Sequence, residues 1–564
     1  MSALNARTPG KTTLMSLLSA AALVLSLAST LGVGHAFNRM ASAPRIAPGV
    51  YVDVIPSKTL WASTLDPALI SLVDDGEIVS KIYAGLVKQA YDDKTGRFNI
   101  VPDLAGGMPT ISKNGLVYTF KIRKGAAFSD GTPVTAQDFV WSFRRVLEPK
   151  ESSPVAYYLG AIKGASAYNA GKLKSFSDVG IKALDAHTVQ FTLTRPVVWF
   201  LYALSYYTGF VLKQSVPVGA KLTTNPSLVV GAGPWMLKNH TWKYRSEIDL
   251  VPNPHYYRAK SFKIKEIHIL FTGSDQTELN GYKSGEFPQT TLPAAQVKKY
   301  RGTPEFHETV ILGDVWYAMN VHIKPFTDLH FRRAVAYAID RNAIANGIMY
   351  GTVKPQYGWY PKGILGYEPH ILSYSDVPRY DLARARRELA LAKKDLGTIP
   401  PVQLEVNTED PDRVRMSNFV VQELKAISIK VTLHQVPGST WSADGNSGKT
   451  QFIYENWLDD YPDPQDFSYY LIQTGAGENW GRYSNPRVDA LFAKGDVERD
   501  AQKREAIYKQ AQLIILRDAP VVMINQFAAQ ALITTKYHGL ELNPSWGSYF
   551  QPVGNDWANV TVSP

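Results

Sequence analysis

Apolar and polar side chains alternate from Leu116 to Ile122, and from Thr135 to Leu147 the apolar ones recur every three or four residues. The first period belongs to a strand with one buried face, the second to a helix with one buried stripe. Between them Asp130-Gly131 makes a turn. Thr135 and Asp138 have the spacing of a capping box, and Phe139, Val140, Phe143 and Val146 form the inward stripe. This grammar of strand, turn and helix returns later. "DVWYAMNV" reads as a strand, and "KPFTDLHFRRAVAYAIDRNAI" as a loop into a helix with Phe331, Val335, Ala338 and Ile339 inward. "VQLEVNTED" and "IKVTLHQV" read as strands flanking the helix "RVRMSNFVVQELKAI". In "REAIYKQAQLIILRDAP", Ile507, Ala511, Ile514 and Ile515 share a helical face that stops at Pro520. Strands alternating with helices predict α/β domains. At 564 residues the chain exceeds what one core holds, so two or three domains are expected.

Several function classes are removed by composition. With no cysteine there are no disulfides, thiolate zinc sites, thiol catalysis or lipid attachment through an N-terminal cysteine. The formal charge is +10, but the basic residues are spread out, with only short pairs such as Lys298-Lys299 and Arg386-Arg387, so no nucleic-acid stripe forms. Aromatics, including 31 Tyr and 12 Trp, supply rigid amphipathic surface that suits a ligand cleft or a large core. The first fifty residues carry no acid. Arg7 and Lys11 precede an uncharged run from Leu14 to Val33, closed by Gly34-His35-Ala36, which reads as an export signal or, alternatively, an uncleaved membrane anchor. Pro44 to Pro56 is expected to be an irregular lead-in.

Catalytic signatures are absent: no H-E-x-x-H, G-x-S-x-G or G-x-G-x-x-G occurs. "GNSGKT", from Gly445 to Thr450, lacks the first glycine of a phosphate loop, where Ala443 stands, and reads as a flexible turn. The histidines are scattered, with His322 and His330 poorly spaced for a shared metal. One cluster stands out. "ENWLDDYPDPQDF" gathers Glu455, Asp459, Asp460, Asp463 and Asp466 beside Trp457, Tyr461 and Phe467. A calcium loop needs a glycine turn, whereas Pro462 and Pro464 are expected to hold this segment extended. A carboxylate pair for hydrolysis is not excluded by spacing. A third reading is a counter-charge for a cationic ligand, since a desolvated ammonium needs a full opposite charge and little competing water. Solvated loop acids beside core aromatics remain the plain alternative.

Six segments, in order, carry a resemblance: "VPDLAGGMPTISKNGLVYTFKIRKGAAFSDGTPVTAQDFVWSFRRVLEP", "GAGPWMLKN", "NPHYYR", "KPFTDLHFRRAVAYAIDRNAI", "WLDDYPDPQDF" and "WGRYSNPRVDALFAKGDVERDAQKREAIYKQAQLIILRDAPVVMI". From about Leu65 to its end the chain resembles the solute-binding proteins of peptide-importing ABC transporters, family 5, and within them the oligopeptide-binding branch. The resemblance implies an α/β, periplasmic-binding-protein-like fold, three-domain and pear-shaped, whose two lobes close by a hinge. Residues 37–83, 213–313 and 531–564 would form domain I, 84–212 domain II and 314–530 domain III, after a signal or anchor at 1–36. It further implies an exported, non-catalytic monomer without cofactor or metal, whose partners are an extended peptide and a membrane ABC permease with its ATPase subunits.

The peptide would lie as an added strand, its ammonium on Asp460. The backbones of Asn456 and Leu458 from one lobe, and of Ser71 and Val73 from the other, would pair with it, with Trp441 and Trp457 at the site. Asp459, next along an extended chain, should point away; Glu455, Asp463 and Asp466 should be solvated or structural. The chain departs from the family at Tyr454, where tripeptide-binding members have arginine. It departs again at Val155 in place of a ligand-facing tyrosine, and at Asp412 in place of a histidine, with Arg413 and Arg415 beside it. Either another cation holds the ligand carboxylate, or the ligand is longer, differently shaped or not a free peptide. A metal chelate, cell-wall peptide or oligosaccharide receptor of the same fold stays open, as do a hydrolase using Asp459, Asp460 or Asp463 and a membrane-tethered peptide chaperone or sensor.

Overall fold

The computed structural model describes residues 48–55, 62–70, 72–92, 94–240, 242, 247–545 and 550–563. The run from Leu14 to Val33 lies outside these; among the described residues no helix is long and apolar enough to cross a membrane. Pro44 to Pro56 is not all irregular, because Val50, Val52, Val54 and Ile55 are β-branched and form strand β1 (Val50–Ile55). β1 is buried almost throughout and pairs in parallel, which suits such a run.

Downstream, Asp66 caps the short turn Pro67–Leu69, and α1 (Val73–Ile82) follows. A hairpin, β2 (Val87–Asp92) and β3 (Arg97–Pro102), leads to an antiparallel sheet. That sheet holds β4 (Thr110–Ile111), β5 (Val117–Lys121), β6 (Ile181–Asp185) and β7 (Thr188–Thr192) in the order β4-β5-β7-β6. Against it packs α2 (Ala136–Leu147), opened by Asp138, whose carboxylate accepts from Thr135 N at 2.8 Å and Oγ1 at 2.7 Å. Phe143 of α2 sets its edge on Phe191 of β7 at 5.1 Å, while α3 (Phe200–Ser205) lies nearby on the same core. Arg145 of α2 grips Asp66 with both Nη atoms, at 2.7 and 2.6 Å, tying this unit to the lead into α1.

β8 (Trp235–Leu237), β9 (Glu247–Pro252) and β10 (Glu266–Phe271) join β1 in a sheet ordered β1-β10-β9-β8. Its core also takes Tyr537 and Trp557 from the far end of the chain; Trp557 meets Trp235 edge to face at 5.1 Å.

The largest sheet comprises β11 (Gln289–Thr291), β12 (Phe306–Met319), β13 (Val353–Pro355), β14 (Val402–Asn407), β15 (Val431–Val436), β16 (Phe452–Leu458) and β17 (Val521–Ile533). Their order is β11-β17-β12-β16-β14-β15, with β13 against β17. β14, β15 and β16 are mutually parallel, and β12 is antiparallel to β16 and β17. α4 (Leu329–Ala338), α5 (Leu382–Leu396) and α6 (Pro411–Ala426) cover the face carrying Val315, Tyr317, Phe452 and Tyr454. α7 (Gly438–Ser447) follows β15 and α8 (Pro464–Tyr469) follows β16; α9 (Ala501–Asp518) covers the face carrying Trp316 and Ile453. Gly448 caps α7 in a left-handed conformation (φ 68°), so "GNSGKT" is a helix end rather than a flexible turn. In β12, the register with β17 breaks between Val310 and Asp314. Gly313 sits at that break, where a Cβ would meet the carbonyl of Trp457 at 2.5 Å.

Candidate functional site

β14, β15 and β16 end on the same side of the large sheet, and the loops leaving such carboxyl ends are where α/β sheets hold ligands. Here those loops carry Arg413 in the first turn of α6, Trp441 on α7 and the acids after β16.

β16 is unevenly partnered. Along one edge it pairs with β12 throughout, from Phe452↔Met319 to Leu458↔Gly313, but on the other it meets β14 only at Phe452 and Ile453. Asp459 N–H donates to the Leu312 carbonyl at 2.8 Å. In the two-residue alternation of an antiparallel ladder, residues 455 and 457 therefore also face β12, whereas the N–H and C=O of 454, 456 and 458 face the opposite edge. The Tyr454 carbonyl on that edge accepts from Trp441 Nε1 at 2.9 Å. Beyond it, no strand among the described residues pairs with Asn456 or Leu458 there. Their backbones form an open edge.

Four of the five clustered acids are buried and engaged. Asp463 caps α8, accepting from Gln465 N at 2.9 Å, and receives both Nη atoms of Arg504 at 2.6 and 2.7 Å. Asp466 accepts from Trp457 Nε1 at 2.9 Å and from Asp460 N at 3.0 Å. Glu455 accepts from Trp316 Nε1 at 2.6 Å, and Asp459 from Ser545 Oγ at 3.1 Å. Burial pushes the carboxyls of Glu455, Asp459 and Asp466 well above the usual range. These acids are scaffold, not solvated. Nor do the prolines keep the loop extended: Pro464 opens α8, where its absent N–H would have had no partner anyway.

Asp460 alone of the five is only partly buried. Its Oδ1 accepts from the Tyr206 hydroxyl at 3.4 Å. Around it Tyr158 packs on Tyr461 at 5.7 Å, Trp199 stacks on Tyr461 at 6.4 Å, and Tyr157 meets Tyr470 at 5.0 Å. Tyr157, Tyr158, Trp199 and Tyr206 come from the chain between β5 and β8, Tyr461 and Tyr470 from beyond β16, so the carboxyl lies where two parts of the molecule meet. Arg195 and Asp496 bridge the same junction at 2.7 Å. Desolvation raises Asp460 to about 7. No cation among the described residues pairs with it.

The remaining candidates fall at varying distance from this arrangement. Val73 is the first residue of α1 rather than part of a strand, preceded by extended Leu72; it therefore offers helix-terminal N–H rather than a ladder edge. Ser71 lies outside the described residues. Tyr454 is buried, its ring edge-on to Tyr317 at 5.8 Å, with the Arg413 guanidinium 5.6 Å above it. Val155 is buried in the core, and Asp412 pairs with Arg415 at 2.8 Å. Trp441 packs edge to face on Trp480 at 4.6 Å. Sequence reasoning missed Tyr206 and its neighbours; the aromatic pairs Tyr157-Tyr158 and Tyr206-Tyr207 were the available signal. It also missed Asp249, Glu266 and His268, whose ligand atoms lie within 4.8 Å of one another on β9 and β10. Lys238, 2.5 Å from Glu266, already supplies positive charge there.

Residues 99–479 match the bacterial extracellular solute-binding proteins, family 5, in their middle region. The oligopeptide-binding protein OppA of Bacillus subtilis is 29% identical over 460 residues, 78% of this chain and 83% of that protein. The periplasmic murein peptide-binding protein MppA of Escherichia coli is 27% identical over 513 residues, 87% of this chain and 93% of that one. Among solved structures, a periplasmic oligopeptide-binding protein of Borrelia burgdorferi is 27% identical and superposes with a TM-score of 0.73 over 91% of this chain and 100% of its own. An unliganded open form of MppA, at 24% identity, shares the fold with a TM-score of 0.74 over 92% and 98%. The chain, with its open strand edge beside a carboxyl that no cation among the described residues meets, belongs to the bacterial extracellular solute-binding proteins, family 5.

Proposed function

We propose that the protein is an exported receptor that captures peptides with a free amino terminus between its lobes and delivers them to a membrane ABC permease. The observation that carries this reading is the coincidence of the open edge at Asn456 and Leu458 with Asp460, a desolvated carboxyl lacking a cation. An extended peptide completes the edge through its main chain, which reads no side chains, while its ammonium supplies the charge. Relatives named as periplasmic or oligopeptide-binding proteins support both the compartment and the ligand class. Binding is favoured over hydrolysis because, of the three candidate acids, Asp463 is held by Arg504 and Asp459 is buried on Ser545, so that Asp460 alone is partly open to solvent. Domain I would combine residues 37–83, 213–313 and 531–564.

Mass spectrometry of ligand retained through purification should identify peptides. Asp460→Asn should weaken their binding by about 2 to 5 kcal/mol, roughly thirtyfold to several-thousandfold. Unchanged affinity for peptides with a free amino terminus would remove Asp460 from the site.

A further inference from the structure

We propose that a second cleft, beside the hairpin β2–β3 and apart from Asp460, binds a small polyanion, and that its occupancy tightens peptide binding. The cleft has a volume of about 770 Å³ and lies between the hairpin tip at 94–97 and a wall made by β12, the loop at 362–369 and α9. Five cations line it, Lys94, Arg97, Lys354, Lys362 and Lys509, against two carboxylates, Glu308 and Glu505. Both carboxylates are already matched. Glu308 holds Lys354 and Arg301, each at 3.1 Å, while Glu505 holds Lys509 at 3.0 Å with Arg97 at 3.7 Å. Lys509 also reaches Glu368, outside the cleft, at 3.3 Å. Lys94 and Lys362 are the surplus. Each is held through its backbone, Lys94 N–H donating to Asp92 Oδ1 at 3.0 Å and Lys362 N–H to Gln526 Oε1 at 3.1 Å. Neither ammonium meets a carboxylate among the described residues. Two unmatched cations from opposite walls repel across the gap, and an anion with two or more charges on phosphate or carboxylate groups turns that repulsion into two charge-assisted contacts.

Both walls lead to Asp460. On one side the Gln526 Nε2 donates to the Lys362 carbonyl at 2.9 Å and to the Ile311 carbonyl at 2.8 Å. Leu312, next along β12 and itself in the cleft wall, accepts from Asp459 N–H at 2.8 Å. On the other side the hairpin is bonded to α3, with Gln89 Nε2 on Ser205 Oγ at 3.1 Å and the Tyr202 hydroxyl on the Phe98 carbonyl at 3.5 Å. α3 runs directly into Tyr206, the donor to Asp460. The walls come together beside Lys362: at Gly363 (φ 106°) a Cβ would press on Leu312 and lie 3.7 Å from the Gly96 carbonyl. An anion that draws the hairpin onto this loop therefore draws Tyr206 towards the segment of Asp459 and Asp460, and fixes the peptide site before the peptide arrives. The coupling rests on the peptide reading above; the anion site does not.

Calorimetric titration of the full chain with pyrophosphate and with citrate, in chloride at about 0.15 M ionic strength, tests the cleft. At least one of the two should bind saturably. Lys94→Gln together with Lys362→Gln, both exposed side chains, should weaken that binding by roughly ten- to a hundredfold. Lys172→Gln together with Lys174→Gln makes the same change of charge on exposed side chains outside the cleft and should leave it as it was. The anion that binds should tighten tetra-alanine by roughly five- to tenfold, and tetra-alanine should tighten the anion by the same factor. No saturable binding of either anion, or equal weakening by the two lysine pairs, overturns the site. Anion binding that leaves the affinity for tetra-alanine unchanged overturns the coupling. If tetra-alanine does not bind, the peptide reading fails and the coupling falls with it, while the anion titration still decides the cleft.

Discussion

Asp460 and Asp463 stand three residues apart in one loop, and the fold treats them in opposite ways. Asp463 receives both arms of Arg504 and caps a helix, so its charge is matched and its lone pairs are used. Asp460, also surrounded by aromatic rings, has one tyrosine hydroxyl at 3.4 Å, long for a bond to a carboxylate. A charge removed from water has to be matched somewhere. For Asp463 the match is internal, and the acid holds the loop in place. For Asp460 it is left to a molecule that enters between the lobes beside an open strand edge, and a carboxylate of this kind gives up folding stability to bind.

The largest effect expected from this contrast comes from removing Asp463's partner. Arg504→Met leaves a buried carboxylate without its cation and should destabilise the protein by about 3 to 5 kcal/mol. Asp460→Asn should cost no stability and should raise it at and above about pH 7, because it replaces an unmatched acid with a near-isosteric neutral group. Thermal unfolding of the two variants without ligand measures both. Similar losses from the two substitutions would show that Asp460 is structural as well, and the contrast would collapse.

Proton linkage should follow as an intermediate effect. Desolvation holds Asp460 at about 7, above the roughly 3.9 of a free aspartate. A raised carboxyl favours the folded state while it is protonated. Its contribution is therefore fully present below about pH 4 and lost as pH rises through about 7. Asp314, Glu455, Asp459 and Asp466, all raised by burial, push the stability of the free protein the same way. The ligand separates Asp460 from them. An ammonium lowers the pKa of the carboxyl it meets, so binding expels a proton below about pH 7 and affinity climbs with pH. Above about 8 it falls again as the peptide's own amine, with a pKa of about 7.7 to 8.0, loses its charge. Titration from about pH 5.5 to about 9 should show a maximum between about 7 and 8, and Asp460→Asn should flatten the acid side. A wild-type acid limb that survives in that variant would assign it to another group.

Much of the scaffold was legible because it is local. The strand of Val117 to Lys121 and the capping box of Thr135 and Asp138 depend on side chains within one turn or one ladder of each other. Period two likewise separates Asp459 from Asp460, which meet Ser545 and Tyr206 on different parts of the chain. What resisted reading depends on contacts between remote residues. Nothing near Asp463 announces Arg504, and nothing near Asp460 announces Tyr206. The proline rule failed at Pro464 because a helix N-terminus tolerates proline as readily as an extended segment does. Val50 to Ile55 looked like a tail between prolines because its parallel partner lies more than two hundred residues on. The open edge of β16 was invisible for the same reason: it exists because β14 turns away after Glu405, a fact of sheet geometry that leaves no mark on residues 456 to 458.

The smallest expected effect is the most discriminating, since it removes Asp460's partner as Arg504→Met removes Asp463's. Tyr206 remains a protonated donor, its hydroxyl pushed up by burial. At 3.4 Å it stabilises the ionised form of Asp460 only weakly. In Tyr206→Phe the carboxyl should rise further, so the acid limb of peptide binding moves to higher pH. Affinity near pH 7 should drop by roughly two- to tenfold, with little change near pH 8, where the carboxyl is already ionised. Thermal stability should hardly move, because a protonated Asp460 at low pH needs no partner. A uniform loss of affinity at every pH would mean that the hydroxyl touches the ligand directly. A loss of stability comparable with Arg504→Met would mean that the hydroxyl belongs to the scaffold.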